Sequence, residues 1–173
     1  MSFSFLPRYA FRKFAVLTPD ALKKLGIRFL MLDLDNTIAK YNEHSPAEAV
    51  TVWVEDMKKN GVELFIISNS KRESRVDTFS EALGIDFIKN ARKPSPKSLL
   101  QTMTAKGYGI GESAIMGDQI FTDTLAGNRA GIVSMIVWPL SLKNPLHLIR
   151  FVVEIPFRAA CAIKRARRRG QSL

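Results

Sequence analysis

Short apolar runs recur along the chain and alternate with longer segments in which apolar residues follow helical spacing. Runs of this length that are bounded by glycine, serine or asparagine are typical of buried strands. The pattern predicts one strand that starts at residue 29 and four more over residues 62–67, 85–88, 113–116 and 132–138.

The segments between these runs carry helix start and stop signals. Thr18 with Pro19 is a good helix start, Ser-Pro pairs open two further helices, and glycines follow the predicted helix ends. Five alternations of strand and helix predict an α/β fold, a doubly wound parallel sheet with helices on both faces. In such a sheet the ligand-binding residues lie at the carboxyl ends of the strands.

Polar residues gather where the predicted strands end. Asp33 and Asp35 follow the first strand, Ser68 the second, Lys93 the third and Asp118 the fourth. Because the carboxyl ends of parallel strands meet at one edge of a sheet, we expect these side chains to form a single site.

The acidic residues of this set predict a metal site. Asp33 and Asp35 leave an extended strand on opposite faces, so both reach one cavity only if the chain bends, and Asn36 with Thr37 supplies a bend. Gathered carboxylates repel one another unless a cation lies among them. We expect Mg²⁺, a hard ion with oxygen ligands, bound by the side chains of Asp33 and Asp118 and by the backbone carbonyl of Asp35.

A carboxylate beside Mg²⁺ can attack phosphorus, because the metal offsets the repulsion between two anions. Ser68 is able to donate a hydrogen bond to a phosphoryl oxygen, and Lys93 supplies a positive charge. Plainer interpretations also exist: Asp35 as a turn former, Ser68 as a cap of the next helix and Lys93 as a solvated loop residue.

The motifs DLDNT at 33–37, Ser68, Lys93 in RKP, and GDQxxTD at 117–123 resemble, in order, the four motifs of the haloacid dehalogenase superfamily of phosphohydrolases. The resemblance spans residues 29 to about 138. It implies a Rossmann-like three-layer domain and a phosphatase that works through an aspartyl-phosphate.

The resemblance also implies a role for each residue. Asp33 is the nucleophile, Asp35 is the general acid and base, Ser68 and Lys93 hold the phosphoryl group, and Asp118 completes the Mg²⁺ site. Further assignments are less direct: Asp123 assists at the metal or only favours a helix start, Thr37 orients the loop, and Asn69 lines the phosphate site or only finishes a turn.

The motif spacing leaves no room for a cap domain. About thirty residues separate Asp35 from Ser68 and about twenty-five separate Ser68 from Lys93, and each interval is filled by one helix and one strand. Without a lid the site stays open, which favours large or surface-bound phosphoesters.

The two ends of the chain are basic. Residues 1–24 carry a net charge of +4, residues 25–138 of −1 and residues 139–173 of +7. The N-terminal segment mixes aromatic and basic residues, so it either lies on a membrane surface or packs its aromatics onto the domain. We therefore divide the chain into an N-terminal arm and helix (1–24), a capless phosphatase domain (25–140) and a C-terminal extension (141–173).

The C-terminal extension contains a helix with a narrow polar stripe of Arg150, Glu154 and Arg158, a wide apolar face and a predicted kink at Pro156. A basic cluster follows at 164–169. An apolar helix with a basic cluster resembles an interfacial anchor for anionic lipid. The alternatives are a helix packed on the domain with a solvated tail, or a nucleic-acid tail, although the cluster has no interleaved aromatics.

The capless layout, the motif forms and the basic ends together resemble subfamily IIIA of the superfamily, which includes phosphatidylglycerophosphate phosphatases. This resemblance implies hydrolysis of the terminal phosphomonoester of phosphatidylglycerophosphate, which gives phosphatidylglycerol. The basic and apolar ends agree with such a substrate, so we expect a peripheral position at the cytoplasmic face of the membrane and no specific nucleic-acid partner. The alternatives are a soluble phosphatase for a nucleotide, sugar phosphate or nucleic-acid end, and a phosphate- or RNA-binding scaffold.

Other features exclude further classes. A single cysteine, Cys161, rules out an internal disulfide framework and fits a reducing compartment. The sequence shows neither a signal-peptide hydrophobic region nor an apolar segment of transmembrane length. His44 and His147 are remote from the motifs along the chain, and we assign them no role at this stage.

Overall fold

The fold was analysed in a computed structural model that describes residues 4–70 and 73–170, with side chains described as far as Cys161 in the last helix. Its centre is one sheet of six parallel strands in the order β1-β6-β5-β2-β3-β4. The strands are β1 (Tyr9–Phe11), β2 (Phe29–Leu32), β3 (Glu63–Ile67), β4 (Asp86–Ile88), β5 (Ser113–Gly117) and β6 (Val133–Val137).

Helices cover both faces of this sheet, as the alternation of strands and helices predicts. One hydrophobic cluster joins the sheet to α1, α2 and α3, and a second joins its other face to α4 and α5. The helices are α1 (Pro19–Lys24), α2 (Glu48–Lys59), α3 (Glu73–Leu83), α4 (Lys97–Lys106), α5 (Leu125–Ala130) and α6 (Pro145–Gly170), and a π-helical turn (Ile120–Thr124) precedes α5.

The central strand β2 is buried on both sides. Leu30 and Leu32 belong to one hydrophobic cluster, whereas Phe29 and Met31 belong to the other, as the twofold alternation of a strand requires. With β3 on one side and β5 on the other, β2 delivers the residue after it, Asp33, to the middle of the sheet edge.

Strand β1 was not predicted from the sequence. It has three residues, all half-buried, and pairs only with β6, beginning where the backbone N–H of Arg8 donates to Ser134 O at 2.9 Å. Three residues give no readable alternation, so the pairing depends on the neighbouring strand. The aromatic N-terminal segment therefore packs on the domain, and the ring centroid of Phe5 lies 5.6 Å from that of Phe157.

Helix α6 folds back onto the domain beside β1. The Cys161 thiol contacts the carbonyl oxygen of Pro7 at 3.3 Å, and the Arg158 guanidinium donates to Val137 O at 2.9 Å. The helix continues as one element through Pro156, where we predicted a kink. The side chains of the basic cluster at 164–169 lie outside the described residues.

Within the described residues, the interval from Asp35 to Ser68 contains only α2 and β3 as its helix and strand, and the interval from Ser68 to Lys93 contains only α3 and β4. The predicted absence of a cap domain is confirmed for this part of the chain. No helix among the described residues is both long and apolar enough to cross a bilayer.

Candidate active site

The loop after β2 bends as the sequence predicts. The backbone N–H of Asp33 still continues the sheet by donating to Met116 O at 2.9 Å, and three residues later Asn36 adopts a left-handed φ of 60°. Asn36 N then donates to Ala39 O at 2.7 Å and closes the turn. As a result Asp33 and Asp35 line the same pocket.

Three buried carboxylates meet beside this pocket, and two of them, Asp33 and Asp123, line it. Asp33, Asp118 and Asp123 each offer an oxygen, and these atoms lie within 4.8 Å of one another. Asp118 Oδ1 is buried and accepts no hydrogen bond from any described residue. The side chain of Asp35 is not in this cluster, so a metal contact from Asp35 would have to come from its backbone carbonyl, as predicted.

The carboxylates are poorly stabilised by the protein alone. Burial raises the pKa of Asp33 to about 7, with the negative charge of Asp123 adding to the increase and Lys93 opposing it. Burial and the charges of Asp33 and Asp123 likewise raise the pKa of Asp118 well above its usual range. A divalent cation would relieve this repulsion and use the free oxygen of Asp118, so the donor set fits such an ion.

Lys93 is the buried cation of the site. Its side chain is 1% exposed, and its Nζ lies 2.6 Å from Asp33 Oδ1 and 2.6 Å from Asp123 Oδ1 and donates to Ile67 O at 2.8 Å. Burial alone would lower its pKa, but Asp123 and Asp33 outweigh burial and raise the pKa of Lys93 above its ordinary value. Lys93 therefore keeps its charge.

The Asn69 side chain holds Lys93 in place through two hydrogen bonds to the backbone of Lys93. Its amide donates to Lys93 O at 2.9 Å and its Oδ1 accepts from Lys93 N at 2.9 Å, while the side chain also lines the pocket. Ser68 is buried, and its hydroxyl accepts from Ser70 N at 2.9 Å. The Thr37 hydroxyl donates to Asp33 Oδ2 at 3.4 Å, and its orienting role stays a prediction.

The backbone of Gly117 packs directly against Asp123. A Cβ at Gly117 would lie 2.2 Å from the carboxyl carbon of Asp123, a distance that no side chain tolerates. Asp123 N in turn donates to Gln119 O at 2.9 Å, and Asp123 Oδ2 accepts from Gln119 N at 3.1 Å. Asp123 is thus built into the site, beyond any helix-start preference.

Sequence reasoning missed Arg75, which holds Asp35. This buried α3 residue donates from Nη1 to Asp35 Oδ1, and from Nε and Nη2 to backbone carbonyls of Glu43 and Lys40. Its guanidinium also lies over the ring of Phe79, four residues further along the helix. The four-residue spacing of Arg75 and Phe79 is a signal that the sequence offered for this role, because it places Arg75 on the same face of α3 as the buried Phe79.

Residues 10–137 match the family model described as haloacid dehalogenase-like hydrolase. The chain belongs to this family. Among curated proteins it is 34% identical to the probable phosphatase YqeG of Bacillus subtilis (strain 168) over 161 residues, covering 93% of this chain and 92% of the relative.

Two further matches are more distant. Phosphatidylglycerophosphate phosphatase 1, chloroplastic/mitochondrial, of Arabidopsis thaliana is 23% identical over 180 residues, covering 95% of this chain and about half (49%) of the plant protein. The crystal structure of 3-deoxy-D-manno-octulosonate 8-phosphate phosphatase from Moraxella catarrhalis superposes with a TM-score of 0.50 at 19% identity, covering 69% of this chain and 73% of that one. The predicted family and doubly wound fold are confirmed.

Outside the haloacid dehalogenase motifs, α6 supports the loop that carries Asp118. Glu154 accepts hydrogen bonds from Ile120 N at 2.7 Å and Phe121 N at 3.4 Å, and pairs with Arg158 at 3.0 Å. Arg158 also donates to the backbone carbonyl of Asp118. The polar stripe of α6 therefore faces this metal-site loop, and the apolar face points outward.

The same helix forms a wall of the catalytic pocket. His147 and Arg150 line it together with Tyr41, and the Asn36 amide contacts His147 Nδ1 at 3.0 Å. His147 is remote from the motifs along the chain but close to them in the structure, because α6 folds back over the loop after β2. Distance along the chain gave no signal for this contact.

Proposed function

We propose that this protein is a Mg²⁺-dependent phosphomonoesterase that removes the terminal phosphate of phosphatidylglycerophosphate and yields phosphatidylglycerol. Its family and the cluster of Asp33, Lys93, Asp118 and Asp123 support phosphatase chemistry. One observation carries the lipid substrate: α6 lines the catalytic pocket with polar residues while its apolar face is exposed beside the same pocket.

The residues of the pocket suit two successive displacements. In the first, an Asp33 carboxylate oxygen bonds to phosphorus as the bond from phosphorus to the glycerol oxygen breaks, and Asp35 gives its proton to that oxygen. In the second, Asp35 takes a proton from water, the water oxygen bonds to phosphorus, and the bond to Asp33 breaks. Inorganic phosphate leaves and both carboxyl groups are restored.

Other residues position these groups. Arg75 orients Asp35 through an ion pair, and Lys93 offsets the negative charge beside Asp33. Asp33, Asp118 and Asp123 would hold Mg²⁺, which offsets the repulsion between the nucleophile and the phosphoryl oxygens. Magnesium and phosphate are present in the Moraxella catarrhalis structure, which supports the choice of this ion.

The outward face of α6 suits a bilayer surface. Its large apolar residues are 45–72% exposed, and the C-terminal segment carries a net charge of +7. Apolar side chains enter the headgroup region while basic residues are attracted to anionic lipid, which favours a peripheral position at the cytoplasmic face of the membrane. The exposed apolar residues are Leu146, Leu148, Ile149, Val152, Val153 and Ile155.

The N-terminal end contributes to the same surface in this proposal. Arg8, Arg12 and Lys13 are exposed, and Arg12 lies 5.9 Å from the ring of Trp138. The Arabidopsis thaliana relative is named for hydrolysis of phosphatidylglycerophosphate, which supports the substrate. An anionic membrane surface is therefore the proposed partner of both basic ends.

A substrate comparison tests the function. Purified protein is assayed with Mg²⁺ on phosphatidylglycerophosphate in vesicles, on nucleoside monophosphates and on a sugar phosphate. We expect the highest kcat/KM for the lipid and none of these activities in Asp33→Asn. Faster turnover of a soluble phosphoester than of the lipid would reject the lipid substrate.

Paired variants test the membrane face. Ile149→Gln with Val153→Gln removes apolar area next to the pocket, and Val52→Gln on α2 is a matched control because it is similarly exposed at 60%. We expect the α6 variant to lose about tenfold in activity on vesicles, since burying one such side chain contributes about 1.5–3 kcal/mol. Equal activity of both variants on vesicles would contradict docking through this face.

A further inference from the structure

The catalytic pocket is larger than a phosphoryl group requires. Its volume is about 490 Å³, and its lining includes Asp33, Asp35 and Lys93, which are proposed to act on phosphorus. His147 and Arg150 of α6 also line it, together with Tyr41. The pocket therefore has room beside α6 for a part of the substrate other than the transferred phosphoryl group.

The cations of this pocket differ in how far they are neutralised. Lys93 is enclosed and paired with two carboxylates. Arg150 is exposed and donates from Nη1 to Gln119 Oε1, a neutral acceptor, and it forms no ion pair with a carboxylate in the described part of the chain. Its positive charge thus remains available to a ligand.

His147 does not compete for this role. Burial lowers the pKa of His147, and the nearby charge of Arg150 lowers it further, although Asp35 acts in the opposite direction. This shift favours the neutral imidazole, which lies between Asn36, at 3.0 Å, and the ring of Tyr41. Arg150 supplies the positive charge on this wall.

We propose that Arg150 binds a second anionic group of the substrate, separate from the phosphoryl group that is transferred. A guanidinium offers paired N–H donors that match the two free oxygens of a phosphodiester. The inference rests on the proposed function, in which the substrate carries a phosphodiester beyond the glycerol that bears the terminal phosphate. Arg150 is then a specificity residue that a capless phosphatase supplies from its C-terminal helix.

The test uses two soluble substrates, so that membrane docking plays no part. Glycerophosphoglycerophosphate carries both a monoester and a diester, whereas glycerol 3-phosphate carries the monoester alone. For Arg150→Met we expect the loss of kcat/KM on the first compound to exceed that on the second by about tenfold or more, through KM. Arg150→Lys should recover part of this difference, and Lys143→Met, an exposed residue outside the pocket, should show none.

Two outcomes would overturn the inference. Equal losses on both compounds would mean that Arg150 acts through Gln119 and the loop of Asp118, and equal kinetics of Arg150→Met and wild type would mean that no second anion is bound. Circular dichroism and the melting temperature establish that each variant is folded.

The experiment distinguishes a failure of this inference from a failure of the lipid assignment. A wild type that does not hydrolyse phosphatidylglycerophosphate in vesicles, but shows an Arg150-dependent preference for the diester compound, would reject the proposed function and keep the subsite. A wild type that hydrolyses the lipid, with no selective loss in Arg150→Met, would support the proposed function and reject the subsite.

Discussion

At the scale of single residues, the motif positions could be predicted, but several of their partners could not. Asp33, Lys93 and Asp118 follow strand ends that the apolar pattern marks, and parallel strands bring those ends together. Arg75 and Glu154 lie on helices, where a charged residue is usually solvated. Only the packing of those helices shows which charged side chains point inward.

Gly117 offers a sharp test at this scale. Replacing it with alanine places a Cβ where the Asp123 carboxyl lies, so Gly117→Ala must displace Asp123 or the strand end. We expect activity to fall by about 100-fold, because a shift of about 1 Å in a catalytic site has costs of that size. The initial rate on a soluble phosphomonoester, measured at saturating Mg²⁺, checks this.

The control for Gly117→Ala is Gly111→Ala. A Cβ at Gly111 would meet no atom within 4 Å, so this variant should retain activity within about twofold of wild type. Equal rates for the two variants would show that the close approach of Gly117 to Asp123 has no consequence for catalysis.

At the scale of elements, α6 is the one whose role changed most between sequence and structure. The sequence predicted a narrow polar stripe and a wide apolar face, and left open whether the helix anchors in lipid or packs on the domain. In the structure two residues of this stripe, Glu154 and Arg158, are buried against the metal-site loop. Glu154 satisfies the N–H groups of Ile120 and Phe121, and Arg158 satisfies two carbonyls. A helix can thus pack through polar residues when the loop beneath it presents unpaired backbone groups.

Glu154→Gln tests whether α6 shapes the metal site. The amide would place a donor against the Arg158 guanidinium and leave the loop that carries Asp118 less firmly held. We expect the Mg²⁺ concentration for half-maximal activity to rise about tenfold, a typical effect of losing a partner that orients a metal ligand. A Mg²⁺ titration of the phosphatase rate measures it.

The matched control for that titration is Glu55→Gln on α2, an exposed residue that also pairs with a cation four residues away. Its Mg²⁺ dependence should equal that of wild type. If Glu154→Gln lowers the melting temperature but leaves the Mg²⁺ dependence unchanged, the role of α6 is stability alone.

At the scale of the whole molecule, charge and apolar surface are concentrated in the same regions. The middle of the chain is nearly neutral, whereas residues 139–173 carry +7 and contain the exposed apolar face of α6. In the proposed docking on a membrane, two kinds of attraction would combine, one screened by salt and one not.

This combination predicts how vesicle binding depends on salt. Raising NaCl from about 0.1 M to about 1 M shortens the Debye length from about 10 Å to about 3 Å, so binding to anionic vesicles should weaken several-fold but not vanish. Flotation with anionic and with neutral vesicles separates the contribution of charge from that of the apolar face. Binding that is insensitive to salt would exclude a contribution from the basic ends.

The sequence by itself determined the alternation of strands and helices, the phosphohydrolase motifs, the lack of room for a cap and the basic ends, because all of these are local patterns or spacings along the chain. Only the tertiary structure decided that β1 completes the sheet and that α6 folds over the loop after β2, bringing His147 and Arg150 into the pocket. Those contacts join residues more than 100 positions apart, as between Asn36 and His147, and no local periodicity encodes them.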